Sequence, residues 1–259
     1  MIQLFKKIRG KLLVEKRLGN YLAYAIGEVL LVVVGIVLAI QFSNWNDKRN
    51  EVKKEIWYLD NIANDMFYQK EGLEMLKTDF EETLETANNL LLTYNKTRNY
   101  TAIDSLSKKL NSLMITYSYP NTDNTYRELL SSGQVALIEN DSLITNIIDF
   151  YLNTSEIDFI FKTNENQVFY GQVYSVLLKY SEVDISYYTD QEDLLMVDEE
   201  IQNYINNLLN APANKLELTN AIKNKIMIVS DYLSTVNESI DDVDRMIAEI
   251  DKEIDLLKN

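Results

Sequence analysis

The 259-residue chain has no histidine and no cysteine, and only two prolines. Lack of histidine excludes Ser-His-Asp and Cys-His nucleophile pairs, the usual zinc sites and imidazole acid–base chemistry. Lack of cysteine excludes disulfides and thiol chemistry, but leaves the compartment open, because an oxidising compartment permits disulfides without requiring them. Glycine is also scarce: only Gly72, Gly133 and Gly171 follow residue 45, alongside Pro120 and Pro212. So few breakers point to long helices, and no stretch alternates well enough to read as a strand. The expected fold class is all-α. There is no phosphate-binding loop and no recognisable nucleophile–base pair, so the expectation is no catalytic residue, no metal site, no cofactor and no enzyme activity.

Positive charge is scarce as well. The net charge is −15. Six Lys/Arg and two Asp/Glu lie in the first 45 residues, which leaves 19 basic against 38 acidic residues from Asn46 onward, about −19 there. That argues against nucleic acid as a partner and for a well-solvated surface.

What the chain does have is one long apolar run. Tyr21–Phe42 carries a single charge, Glu28, and is long enough to cross a hydrocarbon core of roughly 30 Å as a helix. Lys6, Lys7, Arg9, Lys11, Lys16 and Arg17 precede it, and Lys48, Arg49, Lys53 and Lys54 follow. Basic flanks resist translocation, so the amino terminus is expected in the cytoplasm. The run exceeds a signal-peptide core and no small-x-small cleavage site follows it, so it reads as an uncleaved anchor. Tyr21, Tyr24 and Trp45 stand where aromatic belts form. Residues 1–20 form a basic cytoplasmic segment whose Leu4, Phe5, Ile8, Leu12 and Leu13 fit an interfacial helix or a plain orientation signal.

Residues 43–259 read as a helical extracytoplasmic domain. Ile222, Ile226, Val229, Leu233, Val236, Ile240, Val243, Ile247, Ile250, Ile254 and Leu257 follow a four-three spacing, which predicts a coiled-coil helix over about 214–258. A weaker copy, including Leu59, Ala63, Met66, Leu73, Phe80, Leu84 and Ala87 and interrupted by Lys70 and Lys77, predicts a first helix over about 45–95. The two pair within the chain as antiparallel neighbours, or the last helix pairs with a second copy; the sequence leaves both open. Between them, helices are expected over Ala102–Tyr117, over Tyr126–Ser131 (capped by Asn124 or Thr125 and stopped at Gly133), from Leu143 toward Tyr180 (capped by Asp141 or Ser142), and over Asp198–Leu209. Glu182–Glu192 reads as a polar loop.

A carboxylate inside a bilayer is a functional-site candidate by default. Glu28 either snorkels or is protonated near the interface, or it contacts a partner helix. Ala23 and Gly27 share small-xxx-small spacing with Gly19, as do Gly35 and Ala39, and such spacing lets helices approach closely. Ala23, Gly27, Glu28, Gly35 and Ala39 are therefore the candidate helix-contact residues. The acidic clusters Asp190–Asp193, Asp198–Glu200 and Asp241–Asp244 lack calcium-loop spacing and read as solvated faces and caps. The aromatics Phe150, Tyr151, Phe159, Phe161, Phe169, Tyr170 and Tyr174 read as core.

Tyr24-Ala-Ile-Gly-Glu28, Leu31-Val-Val-Val-Gly35-Ile and Ala39-Ile-Gln41-Phe-Ser-Asn-Trp45-Asn46 together resemble an uncharacterised family of bacterial single-pass membrane proteins typical of Bacteroidota, a domain of unknown function. Thr125-Tyr-Arg-Glu-Leu-Leu-Ser131-Ser132-Gly133 is similar to it too, and marks Ser131, Ser132 and Gly133 as a family-motif turn. The resemblance implies a bacterial inner-membrane protein with a helical periplasmic domain, and no established activity. Two readings follow. One is a membrane-anchored interaction, scaffold or sensor module, partnered by the bilayer and by a second copy or another transmembrane helix. The other is small-ligand binding or histidine- and cysteine-free catalysis in the acidic, tyrosine-rich domain.

Overall fold

The computed structural model describes residues 18–191 and 198–259, with side chains from Ala25 onward. They form α1 (Leu18–Thr97), α2 (Leu106–Ser112), α3 (Asn124–Ser131), α4 (Asp141–Asn164), α5 (Ser175–Lys179), α6 (Glu199–Asn210) and α7 (Pro212–Lys258). Short 3₁₀ turns lie at Tyr100–Ala102 and Val135–Leu137, and a π-helical segment, Glu165–Tyr174, joins α4 to α5. The described residues contain no strand, so the fold is all-α. Two compact units divide the chain, one ending at Trp57 and the other comprising Tyr58–Asn259. The expected interfacial helix before residue 18 lies outside the described residues.

Within the second unit, α7 runs antiparallel to α1. Lys70 bonds Asp244 at 2.6 Å, Lys215 donates to the Arg98 carbonyl, and the Tyr100 and Thr219 hydroxyls meet at 2.7 Å. The buried stripes show how they pack. On α1, Leu59, Met66, Leu73, Phe80 and Ala87 form one column, and Ile62, Gln69, Leu76, Thr83 and Leu90 form the second. On α7 the columns are Ile222, Val229, Val236, Val243 and Ile250, and Lys225, Tyr232, Ser239 and Met246. On α1 the second column lies one residue before the one hydrophobicity picks out; on α7 it does so too, although Ile240 and Ile254 of the expected column are buried as well. Ala63, Lys70, Ile226, Leu233 and Ile247 are only half-buried. Polar residues occupy part of the true column, which hides it from an apolar-periodicity reading.

Several local expectations need correction. The helix expected over Ala102–Tyr117 shrinks to α2, because Ser105 takes a left-handed φ of 54° just before it. Neither Asn124 nor Thr125 caps α3; both lie inside it. Its Thr125 amide is satisfied instead by the Asp65 carboxylate of α1 at 2.8 Å, an N-terminal cap supplied from another helix. The cap of α4 is Asn140, whose Oδ1 accepts from Leu143 N while its Nδ2 donates to Glu253 of α7. Asp198 caps α6 by accepting from Glu200 N and Ile201 N.

Aromatic rings fill the space between α1, α4 and α7. Phe161 stacks on Tyr232 at 3.8 Å, Tyr126 on Tyr151 at 4.3 Å, and Phe80 meets Tyr117 edge-on at 5.0 Å. Tyr151, Phe161 and Phe169 are buried as expected of core, but Phe159 and Tyr170 are exposed. Each fully buried ring or aliphatic side chain contributes about 1.5–3 kcal/mol to holding the unit together.

Candidate functional site

Two places stand out chemically, one in each unit. In the first, α1 presents an apolar surface that is exposed among the described residues. Twelve large apolar side chains from Ile26 to Phe42 are 47–69% exposed. Among the described residues this is the one helix long and apolar enough to cross a membrane. Glu28 and Ala39 are exposed on it. A Cβ added at Gly27 or Gly35 would meet nothing within 4 Å. At about 100° per residue, Glu28, Gly35 and Ala39 fall within roughly 40° of one another, while Gly27 lies about 80° away. Ala23 is on the same helix, and its side chain lies outside the described part. Trp45 follows on the next turns, with the Arg49 guanidinium 5.9 Å from its ring centre.

The family-motif turn is elsewhere, at the end of α3. Gly133 adopts φ +69°, its amide donates to Leu130 O, and the Gln134 amide donates to Leu129 O. This is the Schellman arrangement, which closes a helix with a left-handed residue that glycine supplies without strain. The Ser131 and Ser132 hydroxyls donate back to the Glu128 and Leu129 carbonyls. All three residues serve to terminate the helix.

The second place is a buried polar cluster in the larger unit, which the sequence reading misses. Lys225 of α7 is 1% exposed. Its ammonium donates to the Ile115 carbonyl at 2.8 Å and sits 4.1 Å from the Phe169 ring centre and 5.4 Å from that of Tyr117. Burial pushes its pKa down to about 8, against the opposing pull of the Glu165 carboxylate. Glu165, 7% exposed, is the first residue of the π-helical segment. Neither of its carboxylate oxygens accepts a hydrogen bond from any described residue. Burial raises its pKa, and nearby Lys225 partly offsets the rise. Tyr232, raised by burial and by Glu165, donates to the Phe161 carbonyl at 3.2 Å. The Tyr117 hydroxyl, raised by burial, is paired with Thr83 at 2.9 Å. A lysine at heptad spacing from Tyr232, Ser239 and Met246 was the available signal.

The acidic clusters form no such centre. Asp198 is a cap, Asp242 pairs with Arg245 and Asp244 with Lys70; Glu192 and Asp193 lie outside the described residues. Among the described residues no group of three or more carboxylates is disposed to hold a metal ion.

Compared with known families, residues 28–177 match the model of a family of unknown function, DUF6090. That is more than half of the chain. The chain belongs to DUF6090. The match opens on Glu28, takes in Gly35, Ala39 and the Ser131–Gly133 turn, and closes in α5 after the whole π-helical segment. It thus includes Glu165 but not Lys225. No curated protein and no solved structure matches the chain.

Proposed function

We propose that this DUF6090 chain is a single-pass, membrane-anchored interaction module that works by binding rather than by catalysis. The uncovered apolar surface of Ile26–Phe42 carries the reading. Left in water, twelve such side chains would forfeit on the order of 20 kcal/mol of burial, so lipid or another helix must cover them. The basic flanks favour a cytoplasmic amino terminus, with residues 43–259 on the far side as scaffold or sensor. The motif resemblance favours the inner membrane of a bacterial cell, of Bacteroidota type.

Glu28, Gly35 and Ala39 form the contact face for a second copy or a partner transmembrane helix; Gly27 and Ala23, about 100° and 140° around the helix from Glu28, lie off that face. Glycine at 35 lets a neighbouring backbone come close, and among the described residues no atom lies within 4 Å of a Cβ added there. In a membrane two-helix reporter assay, Gly35→Ile is expected to reduce association at unchanged expression; association equal to wild type refutes the contact face. The anchor is tested separately. A reporter fused after Asn259 that works only in the cytoplasm should stay silent, and a chain released from membranes by alkaline carbonate would sink the anchored reading.

A further inference from the structure

A buried carboxylate with no hydrogen-bond partner is among the costliest groups a protein interior can hold in charged form. Glu165 is that group, and its position sharpens the point. It stands at the junction where the i→i+4 winding of α4 gives way to the ten-residue π-helical segment Glu165–Tyr174. Wide i→i+5 winding is rare and recurs at functional sites. The same segment supplies Phe169, 0% exposed, to the buried ammonium of Lys225. One short element thus carries both an unsatisfied acid and the ring that covers a buried base.

We propose that Glu165 is a proton-operated latch on the π-helical segment, holding it closed over Lys225 while the carboxyl is neutral and releasing it when the carboxylate forms. Burial favours the neutral state of Glu165. Tyr232 of α7 and Tyr117 of the stretch after α2 face it as neutral hydroxyls, whose own ionisation its carboxylate opposes. Behind Tyr117, Asp79 and Glu82 of α1 add negative charge at its hydroxyl. Lys225 alone opposes the effect of burial. Its ammonium makes no ion pair with Glu165 among the described contacts, being directed to the Ile115 carbonyl.

The motion follows from helix geometry. Returning a wide turn to i→i+4 winding shifts the register by one residue, about 100° around the axis. The Glu165 amide still bonds the Phe161 carbonyl, so the shift acts on the residues after it, drawing Phe169 off Lys225 and admitting water to the carboxylate. Gly171, mid-segment with open space around it, offers no packing that would resist the change. The latch does not depend on the membrane reading and gives a sensor module a signal it can receive, a change in proton concentration.

The test is hydrogen exchange of the full chain in nanodiscs between about pH 5 and 8.5, with rates corrected for base catalysis, followed in peptides spanning 161–179. In wild type the exchange rate of the segment should rise about tenfold per pH unit above a midpoint, the signature of one linked proton. Glu165→Gln, which keeps size and neutrality, should hold the segment protected throughout. Lys225→Met removes the one favourable charge and should move the midpoint to higher pH. A flat wild-type profile, an unchanged profile in Glu165→Gln, or a midpoint that stays put or falls in Lys225→Met would each overturn the latch. If either variant misfolds, the wild-type profile and the other variant still decide.

Discussion

Lys225→Met is the sharpest probe of the core. A lysine held at a pKa of about 8 against an ordinary 10.5 reports an ammonium disfavoured by about 3 kcal/mol in the folded state, at 1.36 kcal/mol per unit. The sign follows from proton binding. Between pH 8 and 10.5 the folded chain binds fewer protons at this site than the unfolded chain, so its stability rises with pH across that window. Below pH 8 the full cost is present. Methionine removes that cost, but it also removes the bond to the Ile115 carbonyl, about 1 kcal/mol, and the ring contacts with Phe169 and Tyr117, about 1–2 kcal/mol. At pH 7 the two sides nearly cancel, and the variant should lie within about 1 kcal/mol of wild type. The pH dependence does not cancel. Relative to Lys225→Met, wild type should gain about 2 kcal/mol between pH 7 and 9.5. Urea unfolding of the full chain in detergent, followed by the helical circular-dichroism signal at several pH values, measures the difference. Taking wild type minus variant removes the tyrosines, whose raised pKa values act in the opposite direction above pH 10. Parallel curves would mean that Lys225 keeps an ordinary pKa, and would refute the buried-charge account.

Other expectations rest on backbone and caps. Gly72→Ala places a Cβ 3.0 Å from Pro120 Cβ, so the usual helix-interior gain of about 1 kcal/mol should vanish or reverse, whereas Gly171→Ala, in open space, should keep it; equal effects in urea melts would refute the contact. Asp65→Asn retains a weaker acceptor and Asp65→Ala removes the Thr125 cap altogether, so losses of a few tenths and about 1–2 kcal/mol are expected in that order. An alanine variant as stable as wild type would show that water caps α3 equally well.

The all-α class was legible because breakers are scarce and the apolar spacing runs long. The membrane-crossing length of α1 and its odd residues Glu28 and Gly35 were legible for the opposite reason, since polar and small groups stand out against an apolar run. The core cluster was not. Glu165 and Lys225 are charged residues on helices, and most such residues are solvated. Only tertiary packing places these two inside. The cap on α3 was hidden in the same way, because Asp65 and Thr125 are 60 residues apart. Nothing local announces the π-helical winding of Glu165–Tyr174, whose composition suits an ordinary helix.

The polar residues of the second columns have a common reader. The stretch between α2 and α3 lies along the α1–α7 pair, and its polar atoms meet them level by level. The Ile115 carbonyl takes Lys225, the Tyr117 hydroxyl takes Thr83, and the Tyr119 hydroxyl meets both Gln69 and Ser239. Two antiparallel helices with purely apolar columns could slide by a heptad and still bury hydrocarbon. Here a slide would leave Lys225, Thr83 and Gln69 facing carbon, while Ser239 keeps only its bond to the Thr235 carbonyl of its own helix. At about 1–3 kcal/mol for each orphaned group, and more for the charged one, the wrong register loses on the order of 5–10 kcal/mol, comparable to the whole stability of an ordinary domain. The residues that obscured the seam in the sequence are therefore the ones that fix its alignment in the fold.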